Sequence, residues 1–139
     1  MYRAEGIFMT IQKPFLERND YRFVRKATLE EDLAGVDYWF TTGCNDYPVA
    51  VQAKARANGH DDIPVEWRMN GTNEVETTKA TLLVITTRDY NMIVPMYVLR
   101  SMMKEKEYPV SSCNGSQKVS FIPWREVAPR AQAIEVHDQ

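Results

Sequence analysis

Two apolar-rich runs separated by the turn residues Gly43-Cys44-Asn45-Asp46 organise the stretch from Gly35 to Arg56. Their alternation predicts a pair of antiparallel strands, because side chains in a strand point to opposite faces with period two. A turn centred between Cys44 and Asn45 sets Asp37 opposite Gln52, where opposed residues stand about 5 Å apart. Lys54 lies one same-face step farther along. One face of the hairpin then carries Val36, Tyr38 and Phe40 against Val49, Val51 and Ala53, which reads as a core surface. The other face presents an acid, an amide and an ammonium. Trp39 and Ala50 share that second face and argue against its being bathed wholly in solvent, although ordinary surface roles for Asp37, Gln52 and Lys54 stay open.

The same pattern places the remaining elements. Ile7, Phe8, Ile11, Phe15 and Leu16 fall at helical spacings within Glu5 to Asn19, with Pro14 dividing that helix or starting a second one. Arg22 to Lys26 reads as a short strand, and Ala27 to Asp32 as an acidic turn leading into Gly35. Asn58 to Asp62 reads as a loop. Ile63, Val65, Trp67 and Met69 alternate with polar positions as in a strand, and Asn70-Gly71 supplies the turn after it. Thr81 to Thr87 is a short, β-branched apolar run of the kind found in central strands. Tyr97 to Glu107 reads as a helix between Pro95 and Pro109, Lys118 to Ile122 as an edge or terminal strand, and Pro123 to Ala133 as a closing helix. Residues 134 to 139 are expected to form a flexible tail.

Composition narrows the setting. A chain of 139 residues suits one core, and no repeat or low-complexity linker divides it, so a single domain over residues 1 to 139 is expected. With 44% hydrophobic and 26% charged residues, nothing demands disorder. The formal charge of -2 gives no global argument for nucleic acid, yet a local patch or a bound cation can still attract a phosphate backbone. Cys44 and Cys113 form no CxxC or Cys/His cluster, and His60 and His137 add no zinc spacing, so both thiols are read as reduced. No apolar run approaches the length of a membrane span, and Arg3, Glu5 and Lys13 interrupt the N-terminal segment, so a cytoplasmic or otherwise intracellular location without membrane contact is expected.

Gly-x-Asp, a hairpin, and then Gln-x-Lys resembles a divergent member of the PD-(D/E)xK nuclease superfamily, the restriction-endonuclease-like and Holliday-junction-resolvase-like group. The resemblance covers about residues 14 to 56. It implies an α/β fold with a central mixed β-sheet flanked by helices, and a Mg2+-dependent endonuclease acting on DNA phosphodiesters, with branched or junction structures among its candidate substrates and Mn2+ able to substitute. Asp37 matches the family's first acid and Lys54 its lysine. Gln52 stands where the second acid is usual, a departure that weakens a hard-cation site because a neutral oxygen replaces a charge. Glu17, twenty residues ahead of Asp37, matches the acid on the preceding helix, with Asp32 the next candidate should Glu17 lie elsewhere. The implied metal ligands are Glu17, Asp37, Gln52 and the Ala53 carbonyl, and the implied catalytic residues are Asp37, Gln52 and Lys54. Lys54 would orient the attacking water or stabilise developing negative charge.

Arg25, Lys26, Arg56, His60, Arg68, Lys79 and Arg88 are the candidate nucleic-acid contacts around that centre, although scattered surface bases with no such role are common. Tyr38, Trp39, Tyr47 and Trp67 include candidates for base stacking, against the simpler reading of sheet packing. Asn114-Gly115-Ser116-Gln117-Lys118 lacks a full phosphate-binding pattern and reads as a turn. Three function classes follow: a DNA endonuclease, working as a homodimer if both strands are cut; a nucleic-acid-binding module of the same fold without catalysis; and a small protein-interaction domain. Gln52 is the main support for the second.

Overall fold

The computed structural model describes residues 4–56, 60–113 and 117–137. Among the described residues, nine strands form two sheets. The larger has six strands in the order β1 (Tyr21–Lys26), β2 (Tyr38–Thr42), β3 (Pro48–Ala55), β5 (Leu82–Thr86), β6 (Tyr90–Pro95) and β9 (Ala133–Val136). It is mixed, because β3 and β5 run parallel while the other neighbours are antiparallel. The smaller sheet is antiparallel, in the order β4 (Ile63–Trp67), β8 (Gln117–Ile122), β7 (Val110–Cys113). Helices flank the large sheet, giving the expected α/β architecture.

From Tyr38 to Thr41 the hairpin has the register read from its turn, with Tyr38 paired to Val51, Trp39 to Ala50, Phe40 to Val49 and Thr41 to Pro48. The pairing stops short of Asp37 and Gln52: Asp37 N–H bonds to Val51 O, and Val36 packs on the Ala50 face instead of the Tyr38 and Phe40 face expected for it. Both of its faces are covered. On one, Tyr38, Phe40 and Val51 pack with Leu82, Val84 and Ile93 beneath the N-terminal helical segment. On the other, Ala50 joins Leu83, Ile85, Met92 and Val94 under α4 (Glu74–Thr77), α5 (Met96–Glu105) and the small sheet, with Trp39 half-buried beside them. The continuous apolar run Leu82-Leu83-Val84-Ile85 follows from this arrangement, since a strand buried on both faces has no polar side to alternate with.

The N-terminal segment is a helical run in which Pro14 falls at the start of a second α-helical stretch, one of the two places expected for it. An α-helical turn α1 (Ala4–Ile7) passes through a π segment, Phe8–Gln12, into α2 (Lys13–Arg18), with Pro14 in the first turn of α2 where its missing N–H costs nothing. Ala27 to Asp32 is not simply a turn. Thr28 caps a short helix, α3 (Leu29–Leu33), through a capping box in which Glu31 N–H donates to Thr28 Oγ1 and Thr28 N–H donates to the Glu31 carboxylate.

The C-terminal region departs further from expectation. Lys118 to Ile122 lies within β8, the central strand of its sheet, and the closing helix is short, α6 (Trp124–Val127), followed by a 3-10 turn at Ala128–Arg130. The tail expected from residue 134 is a paired strand as far as Val136, with Ile134 opposite Met92 and Glu135 opposite Asn91. Most of the proposed Asn114–Lys118 loop lies outside the described residues, and Gln117 and Lys118 belong to β8. Among the described residues, no helix is long and apolar enough to cross a membrane.

Candidate functional site

Strands β1, β3 and β5 run in the same direction, so their C-terminal ends meet the start of β2 along one end of the large sheet. Asp37 stands there, just ahead of β2. Its backbone N–H donates to Val51 O at 2.9 Å, and its Oδ2 accepts the Ala53 N–H at 2.9 Å. The side chain therefore continues the ladder past the end of its own strand. Because the N–H and C=O of a strand residue point the same way, the Ala53 carbonyl also faces the Asp37 side.

A depression of about 480 Å³ opens at this point, lined in part by Gln12, Lys26, Asp32, Asp37, Ala53 and Lys54. Capped helix α3 brings Asp32 over Asp37. Burial pushes the Asp37 carboxyl up to about 6, and hydrogen bonding and like charge from Asp32 add to the rise, against the lowering effects of the Ala53 N–H and the Lys54 ammonium. The local path of the chain depends on Gly35, whose φ of +94° belongs to the region that glycine tolerates best. Thr78 Oγ1 donates to Gly35 O at 3.2 Å and occupies the space that a Cβ would need.

Lys54 borders the same depression, but its ammonium is directed elsewhere. It donates to Pro64 O at 2.6 Å and forms an ion pair with Glu74. The Glu74 carboxylate also accepts the Glu66 N–H at 3.1 Å, so the pair ties β3 to β4 and to the start of α4. Gln52 lines a neighbouring depression with Glu74, Gly35, Arg68 and Thr78, and is not among the residues around Asp37. The hairpin thus gathers Asp37, the Ala53 backbone and the stem of Lys54, while the Gln52 amide and the Lys54 ammonium belong to the Glu74 side.

Glu17 is not brought to this site. It is exposed on α2 and paired with Lys13 at 3.2 Å. Gln12 is the residue of the N-terminal segment that reaches the hairpin: 1% exposed, it donates through Nε2 to Lys54 O at 2.8 Å. An amide on the apolar face that carries Phe8, Phe15 and Leu16 was the available signal for this contact. Glu74 gave no comparable sign, because its partner is distant in sequence and an acid after Asn73 reads as ordinary first-turn chemistry.

The candidate bases divide into two groups. Arg25 and Lys26 end β1, Arg56 follows β3, Arg88 follows β5, and exposed His60 adjoins Asp61, so these five lie toward the sheet end that carries Asp37. Three of them already have partners. Arg25 pairs with Glu31 and sits 5.7 Å from the Trp39 ring centre; Lys26 pairs with Glu5; Arg56 donates to Asp62 O and lies over Phe121. Exposed Lys79 is on the face covered by α4, its N–H bonded to Ala34 O, and exposed Arg68 is at the end of β4.

Of the stacking candidates, Tyr38 is buried against Phe8 with ring centres 3.5 Å apart, and Trp39 is half-buried. Tyr47 is exposed at the hairpin turn, and Trp67 is half-buried in the small sheet. Among the described residues, no three Asp, Glu, His or Cys side chains come together as a metal-binding group. Comparison with protein-family models, with curated proteins and with solved structures finds no match to this chain.

Proposed function

We propose that the Asp37 depression binds a divalent cation and that the domain is a metal-dependent endonuclease acting on DNA. The observation that carries this reading is the placement of Asp37 and Asp32 together beside the Ala53 backbone, at the sheet end where Lys26, Arg56 and Arg88 also lie. Mg2+ commonly takes one or two carboxylates and completes its shell with water, so two carboxylates and a strand carbonyl fit its demands without a third acid. Mn2+ fits the same oxygen set. When bound, the cation supplies charge stabilisation at the phosphoryl group and a more acidic water.

The residues of the chain have separate tasks in this reading. Ala53 N–H fixes the Asp37 carboxylate, α3 supplies Asp32 opposite it, and the bases of the sheet end hold the phosphate backbone. Lys54 acts as a positioning residue through its backbone and its bond to Glu74. Cutting both strands of a duplex calls for two such domains, and hence for a homodimer on DNA.

A second reading, nucleic-acid binding without cleavage, is favoured by the engagement of the Lys54 ammonium with Glu74 instead of Asp37. Cleavage of linear, branched and single-stranded DNA and RNA in Mg2+ or Mn2+ separates the two. The endonuclease reading expects metal-dependent DNA cleavage that Asp37→Asn and Asp32→Asn abolish without unfolding the protein. Binding without cleavage would establish the second reading, and folded protein that neither binds nor cleaves would defeat both.

A further inference from the structure

The last residue pairs of the small sheet extend beyond the core they cover. Ile63, Val65, Ser120 and Ile122 are fully buried, whereas Trp67, one same-face step beyond Val65, is only half-buried and its partner Lys118 is exposed. Val110, opposite Ser120 on the same face, is 52% exposed. With Met69, fully exposed in the following turn, these residues line a recess of about 580 Å³ rimmed by Arg68 and Lys118. Trp67 and Val110 also line an adjoining recess that runs past Tyr108 to Met103 near the end of α5.

Two properties bear on what this surface can bind. The Trp67 ring is fixed, because its Nε1 donates to Ser120 Oγ at 2.8 Å and that hydroxyl donates to Tyr108 O at 3.3 Å. A held aromatic ring gives contact area at little further cost in conformational entropy. Its charge is also unbalanced. Arg68 and Lys118, like Arg56, Lys79 and Arg100 elsewhere, have no carboxylate partner among the described residues, and no carboxylate lines the recess. The recess is therefore an apolar floor between two uncompensated cations in a chain whose net charge is -2.

We infer that this recess is a docking site for an acidic peptide segment of a partner protein. An apolar side chain of the partner would rest on Trp67, Val110 and the adaptable Met69, with flanking carboxylates meeting Arg68 and Lys118. The apolar floor favours a peptide over a nucleic-acid strand, since interfaces with nucleic acid are the more polar and more strongly charged kind.

Fluorescence anisotropy with a labelled peptide in which aspartates flank a central Trp-Leu pair tests the inference on the intact protein. Saturable binding is expected, weakened about tenfold or more by Met69→Glu and by Arg68→Glu with Lys118→Glu, and weakened by replacing the peptide's Trp-Leu pair with Ser-Ser. Both protein variants alter exposed side chains, and thermal melts confirm that they fold. Failure of the peptide to saturate folded wild-type protein, or equal binding by the variants, overturns the proposal. So does tighter binding of oligodeoxythymidylate that the same variants abolish, since the recess would then serve nucleic acid.

Discussion

The Lys54 ammonium is bonded to the Glu74 carboxylate across the space between the hairpin and β4, with the two side chains 17% and 9% exposed. A pair this poorly hydrated holds the chain together mainly because either partner is costly to leave alone. Lys54→Met should destabilise the protein by about 3 kcal/mol in urea unfolding, and adding Glu74→Gln should recover much of that loss. Additive losses in the two single variants would show that the pair is not coupled. The result bears on activity assays, because loss of function in a Lys54 variant reports packing as well as chemistry.

Asp37 should make stability depend on pH in a definite direction. Its proton affinity is raised on folding, to about 6, so its contribution is fully present below its ordinary value near 3.8 and is lost as pH rises through about 6. Asp37→Asn keeps an oxygen for the Ala53 N–H and has no charge to desolvate. The variant should match wild type near pH 4 and exceed it by about 1 kcal/mol at pH 7, a figure reduced for solvent screening. Chemical denaturation at the two pH values checks this, and a constant difference between the proteins would refute it.

Millimolar Mg2+ should reverse that order if the Asp37 depression takes the cation, since a ligand that binds only the folded state stabilises it by mass action. The melting temperature of wild type should rise at pH 7 while that of Asp37→Asn stays unchanged. Equal shifts in both proteins would place the cation elsewhere.

Gln52→Glu discriminates between the family pattern and the observed geometry. The family pattern expects tighter cation binding when the missing acid is restored. In the structure Gln52 and Glu74 line the same depression, apart from Asp37, so the added carboxylate should leave Mg2+ affinity nearly unchanged and lower stability through like charge. A gain in affinity of tenfold or more in calorimetric titration would mean that residue 52 does reach the cation.

Gly35→Ala should destabilise the domain by about 1 to 3 kcal/mol, because it combines an unfavourable φ with overlap against Thr78. The change should also disturb Asp32 and Asp37, which flank Gly35 on either side. An unchanged Asp37 titration by NMR in this variant would show that the loop does not set the site.

Local pattern determined a good part of this protein. Alternation and turn residues sufficed for the hairpin register from Tyr38 to Thr41, because a one-residue slip would exchange the side chains of its two faces, and the unbroken apolar run at Leu82 announced a strand covered on both sides. Strand β6 did not stand out as an element, since its run Tyr90 to Pro95 leads straight into α5, and Asn91 is buried only because Thr86 and Glu135 bond to it across the sheet. Strand β9 is short and exposed in pattern, and its pairing to β6 is a long-range contact that no local signal encodes. The site divides in the same way. Asp37 and Lys54 were legible near the end of one hairpin, and Asp32, close to Asp37 in the chain, was legible as the next acid, whereas the choice of Glu74 for the Lys54 ammonium and of Gln12 over Glu17 was made by the packing of distant segments. Spacing along a strand fixes which residues can meet, but the direction of a long or charged side chain is settled by whichever buried partner compensates its lost hydration.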